Sequence, residues 1–344
     1  MLEDGIYFNL PAAEYHADKA LGSTSIKAIA LDPVDWQYDR RHPVERESLP
    51  LIWGSGLHAR ALEGAEAFKR QFCVAPDEKD YPRALKTMDD MRTHARAIGV
   101  KGGRTKAEVA ALIRQHDPDA VIWDDIIDEF NRLHAGQTII SPKVCAEIEQ
   151  AAQWMQADQM LSHIMEDGTM TAGCSEVSIF ITIDGVRLKC RLDHLLPHAI
   201  IDLKSFRVQR MDRLERAALR ALARERYDLQ AADYFNLFHS SKPLFESGKV
   251  FGADDKAMEI LKRAYAQKDL KWIWVLVKNS GAPQPLVREL ETKSFLFGTA
   301  REEVNRAIDS YRKMRDKFGE DRDWVPEHPC EILDDTSFPG WAFM

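Results

Sequence analysis

The sequence lacks any long run of apolar residues. Nowhere do about eighteen uncharged apolar residues occur in succession. The N-terminus, MLEDGIYFNLPAAEYH, has no basic leader followed by an apolar stretch. We therefore expect a cytoplasmic protein with no membrane partner.

Cysteines are also few, and their spacing is uninformative. The five cysteines are scattered along the 344 residues and never form a CxxC pair, which argues against a disulfide framework and against a zinc ribbon. We expect them to be buried apolar residues. The sequence contains no internal repeat and no low-complexity tract.

Positive charge is in deficit over the whole chain. There are 47 Lys and Arg against 55 Asp and Glu, a net charge of −8. Nucleic acids are bound largely by basic residues that release counterions, so this average argues against such a partner. Residues 204–226 depart from the average, with eight bases against three acids. This stretch can therefore face a polyanion.

The remaining composition is typical of a folded enzyme-sized protein. Apolar residues make up 45% of the chain and charged residues 30%. The length allows one large domain with insertions or two modest ones, and it does not choose between them.

The first part of the chain reads as helical. Ser23-Thr24-Ser25 precedes spaced apolar residues that Pro33 ends, which predicts a capped helix. Trp53-Gly54-Ser55-Gly56 predicts a break in regular secondary structure. A helix is predicted to follow it, from Leu57 to about Phe72, with His58 in its first turn.

Two amphipathic helices are predicted between residues 86 and 116, around the basic loop GVKGGRTK. This unit is small and could be an insertion. A further helix is predicted from roughly Pro142 to His163, capped by Ser141.

The pattern changes to strands at Glu176. Apolar residues alternate from 177 to 183 and from 186 to 192, and Asp184-Gly185 between them predicts a two-residue hairpin turn. A third strand is predicted at 199–204. A helical stretch at 211–239, a second hairpin (272–277 with 287–290) and a helix at about 299–318 follow. The order predicts an α/β or α+β fold, with a central mixed sheet flanked by helices.

The tripeptide Asp202-Leu203-Lys204 is the most informative chemical signal. Residues two apart on a strand project from one face, so the carboxylate and the ammonium share a pocket while Leu203 enters the core. A tight turn brings Asp193 beside Asp202, and crowded carboxylates favour a hard divalent cation. Alone, however, the tripeptide is better explained as a strand-end ion pair worth about 0–1 kcal/mol.

Such a site suits phosphodiester hydrolysis. A cation would polarise the phosphoryl oxygen and lower the pKa of bound water, and Lys204 could orient that water. Several short motifs and single polar residues follow one another along the chain in a specific order, namely Gly54-Ser-Gly-Leu-His58, Glu176, Asp193, Asp202-x-Lys204 and Tyr227-Asp-Leu-Gln230.

With these pieces in this order, the sequence resembles the RecB-like branch of the PD-(D/E)xK nucleases. Within it, the sequence is most similar to the exonuclease VIII (RecE-type) family of phage and prophage recombination exonucleases. The similarity spans nearly the whole chain, which implies a single nuclease domain over 1–344. It is carried by GIYFNLPAAEYHADKALGSTSIKAI, GSGLHARALE, CSEVSIFITIDGVRLKCRLDHL, AIIDLKS, YDLQAADYF and EILDDTSFPGW.

The resemblance implies a set of roles. His58, Asp193 and Asp202 would hold Mg²⁺, which Mn²⁺ could replace, and Lys204 would activate water. Some RecB-like nucleases carry an iron–sulfur cluster, but only Cys330 lies downstream of the core here, so no cluster is expected.

Three further residues have implied roles and simpler alternatives. Gln230 and Tyr227 would position the substrate, or they are helix-surface residues. Glu176 would be a further ligand or would support the ligands, or it is an exposed acid at a strand edge. His58 too could be an ordinary, partly exposed histidine.

DNA contacts are predicted at two places. Ser23 and Ser25 could bind a terminal 5′-phosphate at a helix N-terminus, although an N-cap explains them equally well. The run that begins with Arg207 and Arg210 could line the DNA path, or it is a solvated helix face. Residues 86–116 resemble a SAP-like DNA-binding unit, and a plain helical hairpin that braces the core is the alternative.

The function implied is a Mg²⁺-dependent exodeoxyribonuclease that degrades double-stranded DNA ends from 5′ to 3′ in homologous recombination. The resemblance also implies a homo-oligomeric ring and a single-strand annealing protein as partner. Two rivals are a single-strand or structure-specific nuclease on the same core, and a non-catalytic DNA-binding assembly module.

Overall fold

The structure is a computed structural model that describes residues 2–43 and 49–326 together with Cys330, Leu333 and Ser337. Most of EILDDTSFPGW, one of the segments that carry the family resemblance, lies outside the described residues. Among the helices that are described, none combines the length and the apolar character needed to cross a bilayer.

Groups of helices and groups of strands follow one another along the chain. The helices are α1 (Ala12–Ala17), α2 (Ser23–Leu31), α3 (Pro33–Arg41), α4 (Leu49–His58), α5 (Ala65–Gln71), α6 (Met88–Ala97), α7 (Lys106–His116), α8 (Trp123–Leu133), α9 (Pro142–Ala157), α10 (Leu214–Arg224), α11 (Tyr227–Ser240), α12 (Lys242–Glu246), α13 (Asp255–Ala266) and α14 (Phe295–Phe318). The strands are β1 (Gly5–Tyr7), β2 (Phe72–Val74), β3 (Thr138–Ile140), β4 (Met165–Glu166), β5 (Thr169–Met170), β6 (Cys174–Ile183), β7 (Val186–Leu196), β8 (Ala199–Phe206), β9 (Val250–Phe251), β10 (Lys271–Lys278) and β11 (Pro285–Leu290).

A seven-stranded mixed sheet forms the centre of the molecule, in the order β11-β10-β8-β7-β6-β1-β9. Strands β6, β7 and β8 form an antiparallel meander, while β8 and β10 run parallel. The prediction of a mixed sheet flanked by helices is therefore confirmed. The short strand β1, between β6 and β9, was not predicted, because three residues are too few to establish an alternating pattern.

The predicted hairpin forms around Asp184-Gly185. Both turn residues have positive φ, +49° at Asp184 and +74° at Gly185. That is the geometry of a type I′ turn, whose twist matches that of the two strands. Strand β7 continues past the predicted end at Leu192 to Leu196.

The sheet separates two hydrophobic clusters. On one face, Leu188 and Leu192 of β7 pack with α2, α11, α13 and α14. On the other face, Ile201 and Leu203 of β8 pack with α4 and α9. The predicted inward position of Leu203 is confirmed, and β8 carries functional groups on the opposite face.

The predicted break at Gly54-Ser55-Gly56 is wrong, because these residues lie inside α4. A Cβ on Gly56 would lie 2.5 Å from Ile148 Cδ1 of α9, and one on Gly54 would lie 3.2 Å from Ser205 Oγ of β8. The glycines thus allow α4 to approach its neighbours closely, and tertiary packing offsets their low helix propensity.

The predicted helix from Leu57 to Phe72 is also divided. A π-helical turn, Ala59–Glu63, follows α4, and α5 begins after Gly64 at φ +95°. His58 is consequently the last residue of α4 and not a first-turn residue.

Helices α6 and α7 occur where two helices were predicted. Thr87 with Asp90, and Thr105 with Glu108, form reciprocal capping boxes at their N-termini. The pair has its own small hydrophobic cluster, which includes Met91. Its SAP-like character and its status as an insertion remain predictions.

Other helix boundaries differ from prediction in detail. Ser141 caps α9 as predicted, but the helix ends at Ala157. The helical stretch at 211–239 is two helices, because Arg226 adopts a left-handed conformation at φ +49° between α10 and α11.

Candidate active site

The candidate site lies where β7 and β8 separate. Their ladder runs from Leu196 paired with Ala199 to His194 paired with Ile201, and it ends one pair short of Asp193 and Asp202. There the Leu203 N–H donates instead to Asp193 Oδ2 at 2.7 Å. A side chain therefore replaces a backbone partner, which fixes the Asp193 carboxylate at the opening of the fork.

Asp202 and Lys204 share one face of β8, as predicted. Lys204 Nζ donates to Asp202 Oδ1 at 2.6 Å and lies 3.7 Å from Asp193 Oδ2. Gln230 Nε2 of α11 also donates to Asp202 Oδ1, at 3.1 Å. The Asp202 side chain is 2% exposed and that of Lys204 12%. The pair is thus buried, unlike the strand-end surface ion pair considered as the alternative.

His58 joins this group from the other side of the sheet. Its Nε2 lies 2.7 Å from the Leu203 carbonyl oxygen and 3.8 Å from Asp193 Oδ2. The prediction that His58 lies in the first turn of a helix was wrong, but the structure does bring it close to Asp193. The π-helical turn after it is a geometry often found at functional sites.

Arg60 holds that π-helical turn in position. Its Nε donates to both oxygens of Glu149 at 2.8 and 3.0 Å, and its other nitrogens donate to Thr169 Oγ1 and to the Asp167 carbonyl. The Arg60 side chain is buried. These bonds tie the segment next to His58 to α9 and to the β4–β5 hairpin.

The register of β6 and β7 pairs Ser175 with His194 and Val177 with Leu192, which brings Glu176 level with Asp193. Its φ is +56°, a conformation that non-glycine residues adopt uncommonly. One ligand atom from each of His58, Glu176 and Asp193 lies within 4.8 Å of the other two. The metal ligands predicted were His58, Asp193 and Asp202, whereas this trio contains Glu176 in place of Asp202.

The site concentrates negative charge where solvent is scarce. Burial, and then the Asp193 charge, raise the pKa of Glu176 to about 8. Burial raises the pKa of Asp202 to about 6 although Lys204 opposes the shift. Burial acts to lower the pKa of Lys204, but the Asp202 and Asp193 charges together outweigh it and raise that pKa, so Lys204 remains protonated.

These groups fit a divalent cation. Asp202 Oδ2 is buried and has no hydrogen-bond partner among the residues that the structure describes. A cation would satisfy such an atom and would neutralise the crowded acids, which are the oxygen ligands that Mg²⁺ prefers. The residues that could hold it are His58, Glu176 and Asp193, with Asp202 beside them.

The site opens into a cleft of about 510 Å³, which Glu176, Asp193 and Lys204 line. Arg191 lines it too, and sequence analysis missed this residue. Its guanidinium donates to Ser178 Oγ at 2.8 Å and lies 3.4 Å from Glu176 Oε2. Strand periodicity could have found it, because Arg191 is two residues before Asp193 and shares its face.

Tyr227 begins α11 and lines the same cleft. Lys204 Nζ lies 5.2 Å from the centre of its ring. Gln230 contacts Asp202 and Tyr227 lines the cleft, so neither matches the alternative that they are helix-surface residues without a contact to the site.

Ser23 and Ser25 occupy the first turn of α2. The N-cap is Gly22 and makes no side-chain capping bond, so the explanation of these serines as N-caps is wrong. Ser23 is buried within hydrogen-bonding reach of Tyr234, which lines the cleft. Ser25 is half-buried. Whether either binds phosphate stays a prediction.

The basic stretch beyond β8 is partly neutralised. Arg220 contacts Asp212, and Arg226 bonds Asp228 and Glu303. Arg207 and Arg210 are exposed between β8 and α10. Within the described part of the chain, these two form no ion pair with an acid.

Comparison with known proteins supports a nuclease core. Residues 124–246, somewhat more than a third of the chain, match the family described as "PDDEXK-like domain of unknown function (DUF3799)". The matched segment contains Glu176, Asp193, Asp202, Lys204 and Gln230. The match supports the PD-(D/E)xK nuclease superfamily and does not distinguish the RecE type within it.

No curated protein matches the sequence. Among solved structures, the crystal structure of a "Putative exonuclease" from Eubacterium rectale is 15% identical with a TM-score of 0.48, over 96% of this chain and 92% of that chain. A similarity this distant says nothing about chemistry, so the function must be inferred from the site.

Proposed function

We propose that this protein is a divalent-metal-dependent exodeoxyribonuclease that hydrolyses phosphodiesters at the ends of double-stranded DNA. The observation that carries the proposal is the meeting of His58, Glu176 and Asp193 within 4.8 Å, next to the buried Asp202 and Lys204. Phosphodiester hydrolysis needs a divalent cation and a fixed positive charge close together; the acids and His58 would hold the cation, and Lys204 supplies the positive charge.

Each side chain has a role that its contacts suggest. His58, Glu176, Asp193 and Asp202 would hold Mg²⁺ or Mn²⁺, which when bound polarises a phosphoryl oxygen and lowers the pKa of water. Lys204, kept protonated by the neighbouring acids, would supply positive charge to the phosphate and donate a hydrogen bond to water. It would not act as a base in this state.

Gln230 and Tyr227 would set the position of the reacting groups. The Gln230 amide holds one oxygen of Asp202, which leaves Oδ2 free for a cation. Tyr227 places an aromatic face beside Lys204, where a sugar or a base could pack. Arg207 and Arg210, exposed after β8, would contact the DNA backbone, and Ser23 and Ser25 a terminal phosphate.

The substrate ends, the direction and the assembly rest on family resemblance. By that resemblance we propose 5′ to 3′ digestion, a homo-oligomeric ring, a single-strand annealing partner and a role in phage or prophage recombination. Sedimentation velocity of the purified protein would test the ring, and a monomer at micromolar concentration would contradict it.

The decisive experiment is release of end label from linear duplex DNA in Mg²⁺ and in Mn²⁺. Nicked circular duplex and single-stranded DNA are assayed in parallel. We expect release from linear duplex by wild type, loss by at least about 100-fold in Lys204→Ala, and wild-type rates in Lys262→Ala. Lys262 is exposed on α13 and serves as the matched control.

Each alternative predicts a different pattern in this assay. Preferred digestion of single strands or of nicked circles would favour another nuclease on the same core. Metal-independent DNA binding without cleavage by any variant would favour a non-catalytic assembly module. Equal release by wild type and Lys204→Ala would remove Lys204 from the mechanism.

A further inference from the structure

Lys27 stands beside the candidate site on α2, far from its other residues in sequence. Its Nζ donates to the Glu225 carbonyl oxygen at 3.1 Å and lies 5.3 Å from the centre of the Tyr227 ring. Lys204 Nζ lies 5.2 Å from the centre of that ring. Tyr227 therefore has two ammonium groups near its ring.

The two lysines differ in how their charge is compensated. Lys204 lies against Asp202 and near Asp193. Lys27 is half-buried, and within residues 2–43 and 49–326 no carboxylate oxygen is at ion-pair distance from it. Burial, and then the charge of Lys204, lower the pKa of Lys27, and the charges of Asp202, Glu225 and Asp228 offset this shift only in part. A partly buried cation beside another cation is unfavourable unless an anion joins it.

We propose that Lys27 forms an anion subsite that binds a non-scissile phosphate of the DNA strand in the cleft. This inference rests on the proposed function and adds a contact to it. An ammonium has three donors and binds phosphate as a compact charge. One donor is used by the Glu225 carbonyl oxygen, so two remain for phosphate oxygens.

The location favours a neighbouring phosphate over the scissile one. Lys204 is bound to Asp202 in the fork, next to the trio of candidate ligands, whereas Lys27 lies on the Tyr227 side. A strand that crosses the Tyr227 ring would present successive phosphates to Lys204 and Lys27. Lys27 would thus be a positioning residue that affects substrate affinity more than the chemical step.

A purely structural role is the competing explanation, because the bond to Glu225 fastens α2 to the segment before α11. Salt dependence of DNA binding separates the two, since a phosphate contact releases counterions and a structural bond does not. The measurement is anisotropy of a fluorescein-labelled duplex in Ca²⁺, with the DNA checked for integrity on a gel. The variants are Lys27→Gln, Lys27→Arg and the control Lys262→Gln.

We expect the slope of log K against log salt to fall by about 0.9 in Lys27→Gln. Raising the salt from about 50 to 200 mM should then weaken wild-type binding about 3.5-fold more than it weakens this variant. Lys27→Arg keeps the charge and should retain the wild-type slope, as should Lys262→Gln. In Mg²⁺, Lys27→Gln should raise KM with little change in kcat.

Several outcomes would overturn the proposal. An unchanged slope in Lys27→Gln, with folding verified by circular dichroism, would reject the subsite even if wild type cleaves DNA. An equal loss of slope in Lys262→Gln would reject it as well, as would the absence of salt-dependent binding by wild type. If the slope depends on Lys27 but wild type releases no label, the subsite stands and the proposed hydrolysis fails.

Discussion

Metal affinity should rise steeply between pH 6 and pH 8, because Glu176 must lose its proton before it can bind a cation. The pKa of this carboxyl is raised to about 8 by burial and by Asp193. Divalent cations bind the ionised form, so metal competes with protons at this residue.

The magnitude follows from the ionised fraction of Glu176. With a pKa of about 8, the group is ionised to about 1% at pH 6, about 9% at pH 7 and about half at pH 8. Ionisation of Glu176 should by itself lower the apparent dissociation constant for metal about 50-fold over this range, and at pH 7 about 0.9 proton should leave Glu176 for each ion bound.

Isothermal titration calorimetry with MnCl₂ measures both quantities. Titrations at pH 7 in buffers of different ionisation enthalpy give the number of protons released. Glu176→Gln is the matched variant, because it keeps the size of the side chain and cannot ionise. We expect it to bind metal more weakly at pH 8 and to release about 0.9 fewer protons than wild type at pH 7.

Two results would refute this reasoning. Wild-type affinity that stays level from pH 6 to pH 8 would mean that Glu176 is already ionised or is not a ligand. Equal proton release by wild type and Glu176→Gln would place the titrating group elsewhere.

Three further predictions concern stability. Without metal, the free energy of unfolding should fall as pH rises from about 5 to 8, because the folded protein keeps a proton on Glu176 that the unfolded chain releases near the ordinary pKa of a glutamate. Urea titrations should find a shallower fall in Glu176→Gln. Parallel pH profiles of wild type and variant would contradict this prediction. Gly56→Ala should lower the free energy of unfolding by about 1–2 kcal/mol, since overpacking against α9 outweighs the gain in helix propensity. The control Gly298→Ala, with no atom within 4 Å of its new Cβ, should raise the free energy of unfolding by up to about 1 kcal/mol. A stabilised Gly56→Ala would refute the packing explanation. Arg60→Met should cost about 2–4 kcal/mol, because Glu149 and the Asp167 carbonyl lose their hydrogen-bond donor. Lys69→Ala on the surface should change stability by no more than about 0.5 kcal/mol. Equal effects of the two substitutions in denaturant unfolding would argue against a bracing role for Arg60.

The strands were predictable because their signals are local. Alternation over 177–183 and 186–192, with Asp184-Gly185 between them, determines the hairpin regardless of the rest of the chain. Alternation also predicts that Asp202 and Lys204 share a face while Leu203 points away. Burial of the pair was not predictable, because it depends on α11, which is distant in sequence and places Gln230 against Asp202.

The course of α4 could not be predicted from local sequence. Glycines within a few residues normally interrupt a helix, and Gly54 and Gly56 were interpreted in that way. Their role depends on Ile148 and Ser205, which are distant in sequence and close in space. A single sequence does not reveal that a small residue is needed for close packing.

The remaining site residues depend on long-range geometry. Glu176 reaches His58 and Asp193 through a backbone conformation with φ +56°, which residue preferences do not favour for glutamate. Lys27 is separated by about two hundred residues from Tyr227, whose ring it approaches. No local pattern connects them, so only the packing of α2 against α11 brings them together.

The backbone of Leu203 links Asp193 of β7 to His58 of α4. Its N–H donates to Asp193, and its carbonyl oxygen is contacted by His58. The backbone of this one residue therefore contacts both side chains. An ion that draws electron density from Asp193 should weaken that amide's hydrogen bond and shift its proton resonance upfield. A ¹⁵N label at this one leucine would thus give a spectroscopic reading of occupancy from the middle of the sheet, without any probe in the cleft itself.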